Sequence, residues 1–547
     1  MAVVPSFFRT APRSSSPDTP DCVGKSGFIL IFLLGFVIRL AACQNAHIIN
    51  PDGVYYIHQA RAIYYGEWNG LTSCALSFVS MYPFFIAGGY ALIHDWATAA
   101  QWISCVFGSL TLIPLHLLCR RFFNRDISFL TLLVFALIPV FVAGSANVVR
   151  GPLCWFFLAL GLYFFVVSNE RNSRLFLTLS CLAFIAASWA RIESAVLVAV
   201  SLIYLLVVPQ EERFKKTACF ALPLILILSV VFFTGILLDR PLIHMLRLNE
   251  IVDKLSGPMV AYETLRDGLR ELMRQPLDGV MPHFLHKARN MVWLVALGTL
   301  VRYMLRAYFY FFFIFFLLGL GDVSRRLRED PRISYLSFLF LSAFLLLYMH
   351  VIQTWMMFDR FWAIFMLPGF VVVGFGVQKG VLLLNTRCRL KISTALLLVS
   401  FLILACTLPK DLQPRETDKV VYREIGSFIA EMEGNDKEIR ILKSLRTPNW
   451  IPFYANINYE GVSCPKIDFG MDEALFEERV FKDYDTLIRY LGEGEIDYFL
   501  WEEKAWPEGT FNLSATQHLK DLETIRAWHH PDMGKMVLYK VVLTHKR

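Results

Sequence analysis

Charge is what this chain of 547 residues has little of. Asp, Glu, Lys and Arg make up 18% of it, where a soluble globular domain carries about 25%. Hydrophobic residues reach 56% and mean hydropathy is +0.49, which excludes a water-soluble fold and leaves a polytopic membrane protein. Also missing are a Cys-x-x-Cys pair, a Cys/His pair at zinc spacing, a glycine-rich phosphate loop, a His-Glu metal motif and any internal repeat. These absences leave zinc and soluble nucleotides without a binding motif. The eleven cysteines are scattered, mostly in apolar stretches (Cys105, Cys119, Cys154, Cys181, Cys219, Cys406), so no structural disulfide is predicted. The net charge of +7 resides in short loops, where basic residues set orientation in a membrane. Aromatic residues do not interleave with a basic patch, so nucleic acid is not an expected partner.

What is present is a succession of apolar runs. Crossing roughly 30 Å of hydrocarbon takes about 20 helical residues. Eleven spans are predicted on that measure, at 26–43, 97–119, 127–143, 152–168, 175–190, 194–209, 217–238, 297–319, 333–351, 361–378 and 391–408. Leu40-Ala41-Ala42-Cys43 has the look of a lipoprotein cleavage box, but Arg39 beside it is foreign to a signal peptide, so the first span is retained. Residues 1–25 are a Ser/Pro-rich tail expected to be disordered and cytoplasmic. With that end inside, the basic loops Arg120-Arg121, Arg171 to Arg174, Arg213 to Lys216, Arg325-Arg326-Leu327-Arg328 and Arg387 to Lys391 all fall in the cytoplasm.

The alternation closes only if Phe78 to Ile93 does not cross, so the first outer loop, 44–96, is expected to carry surface-lying helices. Spans five and six reach only about 24 Å, which sinks their connector, Ala190-Arg191-Ile192-Glu193, below the outer surface. An arginine there costs about 2.5 to 3.5 kcal/mol unless it has a partner or lines a wet cavity, which marks a functional position. A large outer loop, 239–296, is charged and helix-prone. Beyond Pro409 strand-length apolar runs appear at Ile439 to Leu442, Ile496 to Leu500 and Met536 to Tyr539. Helical stretches lie near Val420 to Met432 and Tyr484 to Leu491, which predicts a small outer α/β domain over 410–547. The fold class is therefore an all-α polytopic membrane domain, 26–409, with a small C-terminal α/β domain.

This topology collects Asp52, Arg150, Arg191, Glu193, Asp359 and Arg360 on one side of the membrane. A carboxylate removing a proton from an acceptor hydroxyl, with arginines gripping a phosphate leaving group, is the chemistry that such a set suits. Asp52, in Asn50-Pro51-Asp52-Gly53, is either that base or the cap of the following helix. Helical spacing puts Tyr55, Tyr56 and Gln59 on or beside its face as a substrate lip, and sends His58 elsewhere. Arg150 is either a phosphate ligand or an interfacial anchor beside Pro152. Arg360 is either a phosphate ligand or the ion-pair partner of Asp359.

The order of these features resembles the GT-C superfamily of integral-membrane glycosyltransferases, especially bacterial relatives of the protein mannosyltransferases and aminoarabinose transferases. Asp52 with Tyr55-Tyr56 and Tyr82-Pro83 resembles their first outer loop and its catalytic aspartate. Trp189-Ala190-Arg191-Ile192-Glu193-Ser194 is similar to their Arg-x-Glu between short spans, and Asp359-Arg360-Phe361 with Pro368 to their late Arg-aromatic segment. The chain departs from them in having Gly53 where a second acid is common, and Arg150-Gly151-Pro152 where an acid is common. Those departures leave a bound divalent metal unsupported, and no cofactor is required. The resemblance implies inverting transfer of a sugar from a polyprenyl-phosphate donor to a cell-envelope acceptor, lipid, glycan or protein, at the outer face of the inner (plasma) membrane. Asp52 would be the general base; Arg191, Arg360, Lys287 and Arg150 would bind donor phosphate, with Glu193 on the substrate lip. A flippase, or a surface-glycan polymerase or ligase, is the alternative.

Overall fold

Each apolar run becomes a helix, and prolines decide where several of the helices bend. The computed structural model describes residues 26–209, 211–237, 248–274, 282–444, 447–466, 479–506, 511, 513 and 520–542. The expectations for the tail 1–25 and for the start of the large loop at Asp239 lie outside these residues.

Among the described residues six helices are long and apolar enough to cross a membrane singly: Gly27–Gln44, Trp96–Cys119, Gly151–Arg171, Arg213–Leu237, Pro331–Thr354 and Ile392–Asp411. Three bent pairs bring the count to nine, and the shorter apolar helices Arg174–Ala190 and Ile192–Val207 complete the eleven predicted runs. This is a multi-span membrane protein. The pair Arg125–Leu137 and Pro139–Ala146 bends by 49° at Pro139, and the pair Asp359–Met366 and Phe370–Arg387 by 75° around Pro368, because proline supplies no N–H and clashes with the preceding turn.

The third pair corrects the sequence reading. The span expected over 297–319 is broken: Pro282–Ala307 and Phe311–Arg326 meet at 111°. Phe309 and Tyr310 take positive φ at the corner, with no proline or glycine in Tyr308 to Phe313 to announce it. Helix Pro282–Ala307 likewise begins inside the segment read as outer loop 239–296.

Contacts divide the chain into two units. A membrane unit comprises 1–43, 104–146 and 150–413, and a sheet unit comprises 44–103, 147–149 and 414–547. The loop 44–96 therefore packs with the tail, whereas the sequence assigned it to the membrane domain.

In the membrane unit Arg39, fully buried, donates to Ser145 Oγ (3.2 Å) and to the carbonyls of Gly35 (3.0 Å) and Ala136 (2.8 Å). The charge that interrupts the first apolar run thus ties that helix to its neighbours. At the loop end, Glu170 pairs with Arg121 (3.0 Å) and Arg332 (2.6 Å), and Arg332 also pairs with Asp330 (2.6 Å).

Among the described residues the sheet unit holds four strands in the order β1-β2-β4-β3. They are β1 Ile441–Leu442, β2 Tyr498–Glu502, β3 Leu522–His530 and β4 Gly534–Val541; β1 runs parallel to β2, and β4 antiparallel to both its neighbours. Helices Val420–Glu433 and Tyr484–Glu493 stand where the sequence placed them. Leu487, Leu491, Phe499, Trp501 and Val537 form the core. β3 and helix Trp450–Ala455 were not anticipated; β3 is mostly polar and exposed along its length, which hides a strand.

Cys74 and Cys464 form a disulfide across 390 residues, correcting the reading that no structural disulfide exists. Spacing arguments find local cysteine pairs, and these two become neighbours only after folding. Glu502, 1% exposed on β2, accepts from Thr447 Oγ1 at 2.7 Å, and burial pushes its carboxyl up to about 7. The folded state thus binds this proton more tightly than the unfolded chain does. The resulting stability is complete below about pH 4, is lost as the pH rises through about 7, and amounts to about 3 kcal/mol. The sheet unit is expected to melt at higher temperature at pH 5 than at pH 8, and Glu502→Gln to flatten that dependence; calorimetry of both proteins across the range checks it.

Candidate functional site

In the sheet unit the chain enters helix Pro51–Tyr65 through Asn50, whose extended backbone (φ −66°, ψ 155°) occupies the cap position. Asp52 is the second helical residue, so the capping reading does not describe it. It sits half-exposed in the first turn, where unpaired backbone N–H groups favour a carboxylate. Beside it Gly53 is buried. A Cβ at that position would lie 2.8 Å from Val148 Cβ, so the helix leaves no room for a second acid next to Asp52.

The lip residues divide. Tyr55 is half-exposed and its hydroxyl accepts from Asn449 Nδ2 at 2.6 Å. Tyr56 is buried, edge-on to Tyr82 at 5.7 Å. Gln59 is buried as well, and its amide nitrogen donates to the carbonyls of Leu71 (2.8 Å) and Phe78 (2.7 Å), which shapes the following loop. His58 lies buried between the carbonyls of Gly70 and Ser463, each 2.9 Å away. Arg61 donates to the carbonyls of Asn456 (2.9 Å), Ile457 (3.2 Å) and Tyr459 (2.6 Å), and burial lowers its guanidinium to about 10.

The membrane unit holds a cluster of cations. The helix Arg174–Ala190 ends at Arg191, whose extended backbone (φ −146°, ψ 117°) breaks the chain before Ala195–Val207, as the two short spans require. Arg191 is 6% exposed; its Nε is 3.5 Å from Glu193, and its guanidinium lies over the Phe361 ring, 4.8 Å from the centroid. Lys254, from helix Leu248–Arg274, pairs with Glu193 at 2.9 Å and approaches the same ring at 5.9 Å. Arg360 stacks on Phe358 (4.8 Å) and Phe361 (5.7 Å), and His350 lies 4.8 Å from Phe361. Asp359 is 3.8 Å from Arg306, so the ion pair expected with Arg360 is made elsewhere. Glu193, Lys254, His350 and Gln353 form the polar part of a cavity whose other walls are Leu346, Leu347, Phe361 and Ile364.

The structure thus brings Arg191, Arg360 and Glu193 together around Phe361 and adds Lys254, which sequence reasoning missed. Lys254 is one charge among many on an amphipathic helix, and only the fold singles it out. Arg150 occupies the cap position of Gly151–Arg171, and one turn into that helix Cys154 Sγ lies 3.1 Å from Ser194 Oγ of the connector. Lys287 is exposed on Pro282–Ala307. Among the described residues no three His, Cys, Asp or Glu side chains are placed to hold a metal ion.

The fold, a helical membrane domain with a small α/β domain, is similar to that of solved integral-membrane proteins. Residues 80–236 match the family model described as dolichyl-phosphate-mannose-protein mannosyltransferase. Among solved structures, the fold is similar to ArnT from Cupriavidus metallidurans bound to undecaprenyl phosphate. The TM-score is 0.59 at 12% identity, covering 95% of this chain and 99% of that one. It is also similar to the oligosaccharyltransferase AglB from Archaeoglobus fulgidus, in complex with an inhibitory peptide and a dolichol-phosphate. There the TM-score is 0.53 at 12% identity, covering 93% and 74%. No curated protein sequence matches the chain.

Proposed function

We propose that this protein is an inverting glycosyltransferase that moves a sugar from a polyprenyl-phosphate donor to a cell-envelope acceptor, lipid, glycan or protein. Asp52 is the general base. The acceptor hydroxyl oxygen attacks the anomeric carbon, its proton passes to the Asp52 carboxylate, and the bond from that carbon to the phosphate oxygen breaks. The electron pair leaves on the polyprenyl phosphate, which Arg191, Arg360 and Lys254 hold, with Arg150 and Lys287 as further ligands. The observation that carries the reading is the cation cluster on Phe361 beside a cavity with one polar and one apolar wall. Guanidinium keeps its charge and its paired donors in low dielectric, which suits a phosphate on an apolar chain.

Two features support action at the outer face of the inner (plasma) membrane. Disulfides persist in oxidising compartments, and Cys74–Cys464 joins the first loop to the tail. The basic loops at 120–125, 171–174, 213–216, 325–328 and 387–391 fit a cytoplasmic location on the opposite side. Mass analysis of envelope lipids, glycans and proteins from cells with and without the gene tests the proposal. One sugar substituent is expected to disappear with the gene, and an unchanged envelope would count against transfer.

A further inference from the structure

Residues 45–50 lead into Asp52, and the tail holds their backbone at alternate positions. Arg415 N donates to Asn45 O (3.0 Å). Arg423 Nη1 donates to His47 O (3.1 Å), and Trp450 Nε1 to Ile49 O (2.8 Å). Ile49 N in turn donates to the Tyr454 hydroxyl (3.3 Å). Ile48 and Ile49 are each 2% exposed, so the two bonds at Ile49 are made out of water, where a backbone hydrogen bond is costly to lose, while the Arg423 bond to His47 is exposed. Beyond Asp52 the tail takes hold again, through Asn449 to Tyr55 and through Arg61 to the carbonyls of 456, 457 and 459.

The gripping element is itself rigidly backed. Helix Trp450–Ala455 lies on Val420–Glu433 at Gly426, where a Cβ would stand 2.6 Å from Tyr454 Cβ and 2.9 Å from Ile451 O. Tyr422 packs 5.6 Å from Trp450, ring centroid to ring centroid. Val420–Glu433 in turn rests on the sheet, through Glu433 to the Tyr498 hydroxyl on β2 and to Lys540 on β4 (2.8 Å), and through Phe428 against Trp528 on β3 (5.6 Å).

We infer that the tail is a splint for the base: Trp450 and Tyr454 are positioning residues that fix the backbone at Ile49, three residues ahead of Asp52. The inference rests on the reading of Asp52 given above. A general base works only within hydrogen-bond reach of its proton, and a misplacement of about 1 Å can cost about 10²-fold. Freeing one anchor point leaves the helix Pro51–Tyr65 in place and loosens its first turn, so a smaller loss is expected.

The test is the double substitution Trp450→Phe with Tyr454→Phe in the full-length protein, which keeps an aromatic ring at each position and removes the indole N–H donor and the tyrosine hydroxyl. Turnover is measured in liposomes with radiolabelled polyprenyl-linked sugar extracted from host membranes, beside Asp52→Asn. The splint predicts a fall in kcat of about tenfold, with KM for the donor and the melting temperature unchanged. Full kcat overturns it, and so does a loss matched by a lower melting temperature, which would show mere packing. If Asp52→Asn turns over at the full rate, the role given to Asp52 fails. If Asp52→Asn is inactive while the double variant is fully active, only the splint fails.

Discussion

Asp52→Asn is expected to lower turnover by about 10²- to 10⁴-fold, the usual worth of general-base catalysis, while leaving donor binding and folding intact. Asparagine fills the same volume and loses only the proton-accepting charge. The structural loss is small, because Asp52 is not the cap: Asn50 holds that position, and a first-turn carboxylate contributes about 0.3 to 1 kcal/mol. The half-exposed side chain makes no demand on the core, whereas Gly53 beside it does. Turnover of radiolabelled donor, set against the melting temperature and the amount of Cys74–Cys464 disulfide, separates the chemical effect from a folding defect.

Arg191→Ala is expected to lower kcat/KM for the donor by about 10²- to 10³-fold, the scale on which a preorganised electrostatic donor acts. Arg191 is the most deeply buried cation of the cluster around Phe361, so water cannot replace it. Its loss also leaves the Glu193 carboxylate to Lys254 alone. Arg191→Lys keeps the charge but not the planar fork that pairs with two phosphate oxygens, so it is expected to recover part of the loss. Donor affinity measured by equilibrium binding, alongside initial rates, checks both variants. Equal rates for Arg191→Ala and wild type would remove the connector from the site.

Helix positions were legible in the sequence because hydrocarbon demands long apolar runs, and eleven of them stand out without any structure. The bends at Pro139 and Pro368 carry a signal in the sequence, a proline that interrupts the ladder, although 127–143 and 361–378 were each read as one unbroken span. At Tyr308 to Tyr310 the run stays aromatic and the break is set by packing, so the sequence showed one span where two helices meet at 111°. The tail strands Ile441–Leu442, Tyr498–Glu502 and Gly534–Val541 show as short apolar runs, while β3 does not.

At the site, Arg191 and Arg360 announced themselves as charges stranded near a membrane boundary, and both meet at Phe361. Lys254 did not, being one charge among many on an amphipathic helix. Long-range pairings were hidden for the same reason: nothing local links Cys74 to Cys464, Arg61 to Tyr459, or Ile49 to Trp450. Gln59 and His58 carried no mark of their roles either: a buried amide that satisfies loop carbonyls looks, in sequence, like a candidate for substrate contact, and a buried imidazole doing the same looks like one that faces away from the site.

The most direct measurement of the central claim uses the purified protein in liposomes loaded with donor whose sugar carries ³H and whose phosphate carries ³²P, with cell-envelope extract as acceptor. Transfer predicts that the two labels part, with free polyprenyl phosphate appearing in step with labelled acceptor and neither appearing with Asp52→Asn. If both labels stay on one molecule while it changes leaflet, the protein moves the lipid-linked sugar without breaking its bond, and the account is contradicted.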